Sequence, residues 1–221
     1  MNIALIGAGA MGEALLSGML NSGISGQRIM VAEIRADRAQ ELSTKYGVTC
    51  SDAQTAVATA DLVLIVVKPQ DVANALADIA QVLPVTALVI SFAAGITTKT
   101  LSTLLPAGQP IVRVMPNTPA LVGQGMSGVS PGEHCTDVQL ADVVQLLNSV
   151  GQTVVIPEEL QDALTAVSGS GPAYVFYLME AMTDAGIELG LAPEISRQLV
   201  TQTVFGAATL VKETAELPET L

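Results

Sequence analysis

Short apolar runs alternate with stretches of helical period over the first two thirds of the chain. Residues 2–7 form an apolar run ending in glycine, which suits a buried strand. Residues 10–21 follow with Met11, Leu15, Leu16, Met19 and Leu20 at helical spacing. Residues 29–32 predict a second strand, and 37–46 a helix whose outer face carries the charges. Residues 62–67 are apolar throughout, the mark of a parallel strand buried on both faces. A helix over 72–82, a strand over 87–92, a helix over 98–105 and a strand over 111–115 continue the rhythm. Pro116 ends the last of these. Strands over 125–129 and 153–156, with a helix over 137–150 between them, extend the sheet. Such an order predicts an α/β fold: an open, mostly parallel Rossmann-type sheet with helices on both faces.

The pattern changes near Pro157, after which no strand signal appears. A helical stretch over 160–167 leads to Ser168-Gly169-Ser170-Gly171-Pro172, and two long helices follow over 173–189 and 193–213. The boundary is placed there. Residues 1–156 form the dinucleotide-binding domain, and 157–221 an all-helical dimerisation and substrate domain. Both long helices open on a proline in their first turn.

Composition narrows the chemistry. Of 221 residues, 50% are apolar and 14% charged, too hydrophobic for a disordered chain. No apolar run reaches the ~18 residues of a membrane span. The start of the chain lacks a basic region and carries Glu13, so no secretory leader is expected. A formal charge of −12 makes nucleic acid a poor partner. Cys50 and Cys135 stand far apart in no metal spacing, consistent with a reduced, cytoplasmic chain without a bound metal. The one histidine, His134, lies in a polar turn, which leaves little room for a catalytic triad or a histidine-rich metal site.

The strongest motif is Gly7-Ala8-Gly9-Ala10-Met11-Gly12 between the first strand and the first helix. The G-x-G-x-x-G spacing gives a tight turn, close approach to a pyrophosphate and close helix packing. The helix N-terminus then offers N–H groups and partial positive charge to phosphates. Glu33 ends the second strand, where a carboxylate accepts from the adenosine 2′-hydroxyl and points to NADH. Arg35, two positions on, is placed to hold a 2′-phosphate and keeps NADPH open. Val67-Lys68-Pro69, Ala93-Ala94-Gly95 and the Asn117 turn fall at the carboxyl ends of other strands, where ligands bind in such sheets.

These segments, with Val66-Val67-Lys68-Pro69-Gln70, Arg113-Val114-Met115-Pro116-Asn117-Thr118-Pro119 and Ser168-Gly169-Ser170-Gly171-Pro172-Ala173-Tyr174, resemble pyrroline-5-carboxylate reductase. The likeness is ordered and spans almost the whole chain. It implies reduction of the small-molecule substrate 1-pyrroline-5-carboxylate to L-proline by NADPH or NADH, the last step of proline biosynthesis. It also implies a helical domain that interlocks with a second subunit, so a homodimer or a larger homo-oligomer. Ser168 and Ser170 become the candidate catalytic hydroxyls. Gly169, Gly171, Pro172 and Asn117 become candidates for substrate binding. Glu213 and Pro218 match the family just before a Val-Thr-Ser-Pro-Gly-Gly-Thr-Thr-type segment that carries a substrate-contacting threonine. That segment lies beyond Leu221, so the helical domain is expected to be incomplete at its C-terminal side, and no residue here inherits those roles.

Two other readings stay open. A β-hydroxyacid dehydrogenase would use a lysine on the helix after the domain junction, and 173–189 has none. A dinucleotide-sensing module without turnover would share the glycine motif. The last two helices are apolar on more than one stripe, with Phe176, Met179, Ile187, Leu199, Phe205 and Leu210 among their residues. A small helical unit cannot cover that surface itself, which predicts an obligate subunit interface.

Overall fold

A computed structural model describes residues 1–221. Its contacts divide the chain into two compact units, Met1–Gly169 and Ser170–Leu221.

In the first unit, eight strands form one sheet in the order β3-β2-β1-β4-β5-β6-β7-β8. They are β1 (Ile3–Ile6), β2 (Ile29–Ala32), β3 (Thr49–Ser51), β4 (Leu62–Ile65), β5 (Leu88–Ser91), β6 (Ile111–Met115), β7 (Gly125–Pro131) and β8 (Gly151–Val155). Only β6 and β7 pair antiparallel. The helices of this unit are α1 (Ala10–Asn21), α2 (Ala36–Tyr46), α3 (Ala53–Val57), α4 (Val72–Ile79), α5 (Thr98–Leu104), α6 (Asp137–Leu147) and α7 (Gln161–Leu164).

Side chains alternate across the pleat and build a core on each face of the sheet. Ile3, Leu5, Leu64 and Ile90 meet Leu15, Met19, Leu42 and Leu146 on one side. Ala4, Val63, Ile65 and Val89 meet Val57, Leu76, Ile79 and Leu101 on the other. The continuous apolar runs of β1 and β4 follow from burial on both faces.

The expected elements are present with small shifts at their ends. β3 and α3 carried no sequence signal. Thr49, Cys50 and Ser51 are polar or small because this strand forms the sheet edge and pairs only with β2. The long helix expected over 72–82 stops at Ile79, and that expected over 137–150 stops at Leu147.

The change of pattern at Pro157 and the division of contacts after Gly169 do not coincide. The short segment between them lies against the sheet: Gln161 Nε2 donates to Ser130 Oγ at 2.9 Å, and Leu164 fills the space where a Cβ on Gly128 would stand. Arg113, inside β6, is the buried cation of the sheet. Its Nη1 meets Glu158 Oε1 at 3.3 Å, and the same carboxylate accepts from the Thr98 N–H at the start of α5. A buried charge needs such a partner. Glu158 therefore serves the sheet and a helix N-terminus together.

The second unit contains α8 (Gly171–Glu188) and α9 (Pro193–Thr214). Ser196 Oγ donates to the Thr183 carbonyl at 2.7 Å, and the bare Cα of Gly186 lets the two helices meet there. Only Ser196 and Val200 of this pair are buried. Tyr177 is 74% exposed and Phe205 65%, with Tyr174, Phe176, Leu178, Ile195 and Leu199 also exposed. No helix is long and apolar enough to cross a membrane.

Leu64 lies wholly buried at the centre of the sheet. Leu64→Ala is expected to lower unfolding free energy by about 2–5 kcal/mol, measured by urea denaturation. A loss below about 1 kcal/mol would show that the centre of the sheet is not the packed core.

Candidate active site

Where the strand order reverses, between β1 and β4, a cleft of about 840 Å³ opens at the carboxyl ends of the strands. Ligands bind at such switch points in open α/β sheets. Gly7, Ala8, Gly9, Glu33, Arg35, Val67 and Lys68 all line it.

The turn from β1 into α1 is built by close backbone approach. Gly7 has φ +88°, and a Cβ there would stand 2.7 Å from the Val66 carbonyl oxygen. A Cβ on Gly12 would run into the Gly7 carbonyl. Gly9 differs: a Cβ there would meet nothing within 4 Å. Gly9 therefore faces open space where a pyrophosphate would lie. It begins α1 without a side-chain cap, so the first-turn N–H groups of Ala10, Met11 and Gly12 remain for a ligand.

The peptide groups of Ala8 are held on both sides. Its N–H donates to Glu33 Oε2 at 3.0 Å, and its carbonyl accepts from Arg38 Nε at 3.2 Å. Glu33 Oε1 accepts from the Arg35 N–H, also at 3.0 Å, and its side chain is only 8% exposed. The carboxylate expected to face a ribose thus also braces the glycine turn. Arg35 begins α2 and is exposed, with Nε 3.7 Å from Glu33 Oε1.

Three residues here stand outside the sequence expectations. Arg38 pairs with Glu13 and Glu41 and holds the Ala8 carbonyl. Its place on α2 looked like an ordinary charged face. Ile34 is fully exposed beside the cleft. Asp52 lines the cleft and caps α3 through the Thr55 N–H, a bond that holds its pKa low; the Asp-x-x-Thr spacing is a legible cap signal.

Lys68 precedes the turn Pro69–Asp71 and is exposed on the cleft wall. Ala93 is buried after β5, while Ala94 and Gly95 are exposed beside it. Asn117 follows β6 and reaches Ser168. Despite its two glycines, the 168–172 segment is in helical conformation throughout. Thr165–Gly169 is a π-helical turn, and Ser170, in right-handed helical conformation, leads straight into α8. Gly171 and Pro172 form the first turn of α8, and Ser170 gives it no side-chain cap. Gly169 is required for contact rather than for φ, since a Cβ there would stand 2.9 Å from Met115 Cε. π-turns recur at functional sites.

No cluster of three or more potential metal-ligating His, Cys, Asp or Glu side chains occurs. Burial pushes the Cys50 and Cys135 thiols above their ordinary values, so neither is poised as a thiolate. His134 is exposed in the turn before α6.

A family profile described as pyrroline-5-carboxylate reductase dimerisation matches residues 158–221. One described as NADP oxidoreductase, coenzyme F420-dependent, matches residues 2–95. Pyrroline-5-carboxylate reductase of Mycobacterium leprae is 42% identical over 96% of this chain and 74% of its own length. The structure of the same reductase from Coxiella burnetii superposes with a TM-score of 0.93 at 34% identity, over 98% of this chain and 81% of that one. The Plasmodium falciparum pyrroline carboxylate reductase, solved with NADP bound, gives 0.86 at 30% identity, over 96% and 79%.

Glu13 anchors the brace beneath the glycine turn. Hydrogen bonds from Lys45 first, then Arg38 and Tyr46, hold its carboxyl at about 2, below the ordinary 4.5. A depressed folded-state value means the stabilisation is full above about 4.5 and is lost as pH falls toward 2. Glu13→Gln is therefore expected to lower the melting temperature at neutral pH, with a gap that narrows below pH 4.5. Thermal melts across that range check it; a gap that persists unchanged to the lowest pH would show that the ion pairs contribute nothing.

Proposed function

The chain belongs to the pyrroline-5-carboxylate reductase family, and from that premise we propose that it reduces 1-pyrroline-5-carboxylate to L-proline with NADPH or NADH. The observation that carries this is the 42% identity to a curated reductase across 96% of the chain. The residues fit the cofactor: Gly9 leaves open space, and the N–H groups of the first turn of α1 face it without a protein cap. Residues 1–156 are proposed as the cofactor domain and 157–221 as the helical substrate and dimerisation domain.

When bound, the nicotinamide supplies the hydride that reduces the imine carbon. The residues of this chain supply orientation. We assign phosphate binding to the turn Gly7–Gly12 and α1, and the adenosine end to Glu33 and Arg35. Val67, Lys68, Pro69, Ala93, Ala94 and Gly95 are assigned to the cofactor from the neighbouring strand ends. Ser168, Gly169, Ser170, Gly171 and Pro172 are assigned to the substrate carboxylate, where the serine hydroxyls supply hydrogen-bond donors to an anion. Two groups held at contact distance react as one unit, and the hydride step needs no covalent nucleophile.

With purified full-length protein, adding pyrroline-5-carboxylate to reduced cofactor is expected to consume the nicotinamide absorbance and form proline. No loss with either cofactor would refute the reductase reading. A higher kcat/KM with NADPH assigns Arg35 to the 2′-phosphate; a higher value with NADH assigns Glu33 to the 2′-hydroxyl.

The apolar faces of α8 and α9 are proposed to be covered in a homodimer, and dimers to assemble into a larger homo-oligomer in the cytoplasm. Light scattering at micromolar concentration is expected to give at least twice the monomer mass, and Phe205→Asp to lower it. A clean monomer would overturn the interface.

A further inference from the structure

Asn117 stands where the chain leaves β6, and its carboxamide is spoken for by the protein. Its Oδ1 accepts from the Met126 N–H at 2.8 Å. Its Nδ2 donates to the Ser168 carbonyl at 3.1 Å and approaches Ser168 Oγ at 3.4 Å. The orientation of the amide is fixed by chemistry. A backbone N–H can only donate, so the group facing Met126 must be the oxygen. A backbone carbonyl can only accept, so the group facing Ser168 must be the nitrogen.

We propose that Asn117 is a positioning residue that aims the Ser168 hydroxyl, and is not itself a substrate contact. This rests on the reading of the 168–172 segment as the substrate carboxylate site. Asn117 Nδ2 addresses both oxygens of Ser168, the carbonyl at 3.1 Å and, more weakly, Oγ at 3.4 Å. An N–H group beside Oγ occupies its lone-pair side, so the Ser168 proton points in another direction. Neighbouring helical hydroxyls show what it would otherwise do. Thr165 and Thr183 each donate to the carbonyl four residues back, at 2.7 Å. Ser168 makes no such bond and donates to no protein acceptor, so its proton is free for an anion. The close approach of Met115 to Gly169 seats the same π-turn on the same strand end.

Asn117→Asp keeps the acceptor for Met126 but replaces both donors with an oxygen. The Ser168 hydroxyl then turns toward the carboxylate and is lost to the substrate. In the full-length protein, Asn117→Asp and Ser168→Ala are each expected to raise the KM for pyrroline-5-carboxylate by about tenfold, the scale of one charge-assisted hydrogen bond. Cofactor affinity and kcat should stay within about twofold, on the same scale. The double variant should be no worse than Ser168→Ala alone, because both changes remove one interaction. Additive effects, an unchanged KM in Asn117→Asp, or a silent Ser168→Ala beside an affected Asn117→Asp would each overturn the proposal. Should Asn117→Asp not fold, the Asn117 side-chain amide resonances carry the test: Ser168→Ala must shift them, and unmoved resonances overturn it. Absence of turnover in the unsubstituted protein would refute the reductase reading instead, and the resonance test would still decide the role of Asn117.

Discussion

The helix α1 must start within van der Waals distance of the strand it follows, and much of the dinucleotide cleft depends on that constraint. The Gly7 carbonyl occupies the space a side chain on Gly12 would need, and the Val66 carbonyl occupies that of Gly7. Backbone therefore packs on backbone at the switch point of the sheet. Such a turn has little side-chain material to hold it, so neighbouring elements brace it from outside. Glu33 at the end of β2 takes the Ala8 N–H, and Arg38 on α2 takes the Ala8 carbonyl. Arg38 is in turn held by Glu13 on α1 itself, which Lys45 and Tyr46 also engage. The circuit runs from α1 to α2 and back to the turn that starts α1.

That circuit explains what the chain shows and conceals. The glycine motif was legible because Gly7 and Gly12 answer steric demands and Gly9 leaves open space. The sheet was legible from β1 and β4 because burial on both faces leaves no polar residue in those runs. β3 was not, because an edge strand of three residues needs no such run. Glu33 was read for its charge at a ribose, yet its near-complete burial and two backbone donors follow only from where β1 and β2 lie side by side. Arg38 and Glu158 were hidden for a related reason. Each sits on what looks like a solvated helical face, and its partner is distant in sequence. In the 168–172 segment, Gly169 meets a demand that only the fold reveals, the close approach of Met115.

The helices α8 and α9 pose a different problem. Two helices touch along one narrow seam, here Gly186 against Ser196 with Val200 buried below. Their other apolar stripes have nothing within this unit to cover them, and Tyr177 and Phe205 lie open. An area of that kind stays in water only at a cost of ~25 cal/mol for each Å². The match of residues 158–221 to a dimerisation domain gives the surplus of hydrophobic residues its physical purpose.

The strand ends organise both halves of the proposed chemistry by geometry instead of acidity. At β1 and β2, carboxylate and guanidinium hold a backbone turn that presents N–H groups. At β6 and β7, a carboxamide held by the Met126 N–H addresses both oxygens of Ser168. In each case a side chain with two distinct ends locks the direction of a donor that is left over. A hydride transfer between two bound molecules is limited by how well they are held together, so fixed donors achieve what a titrating residue would in hydrolysis. The reactive group arrives with the cofactor, and the protein's task is to aim it.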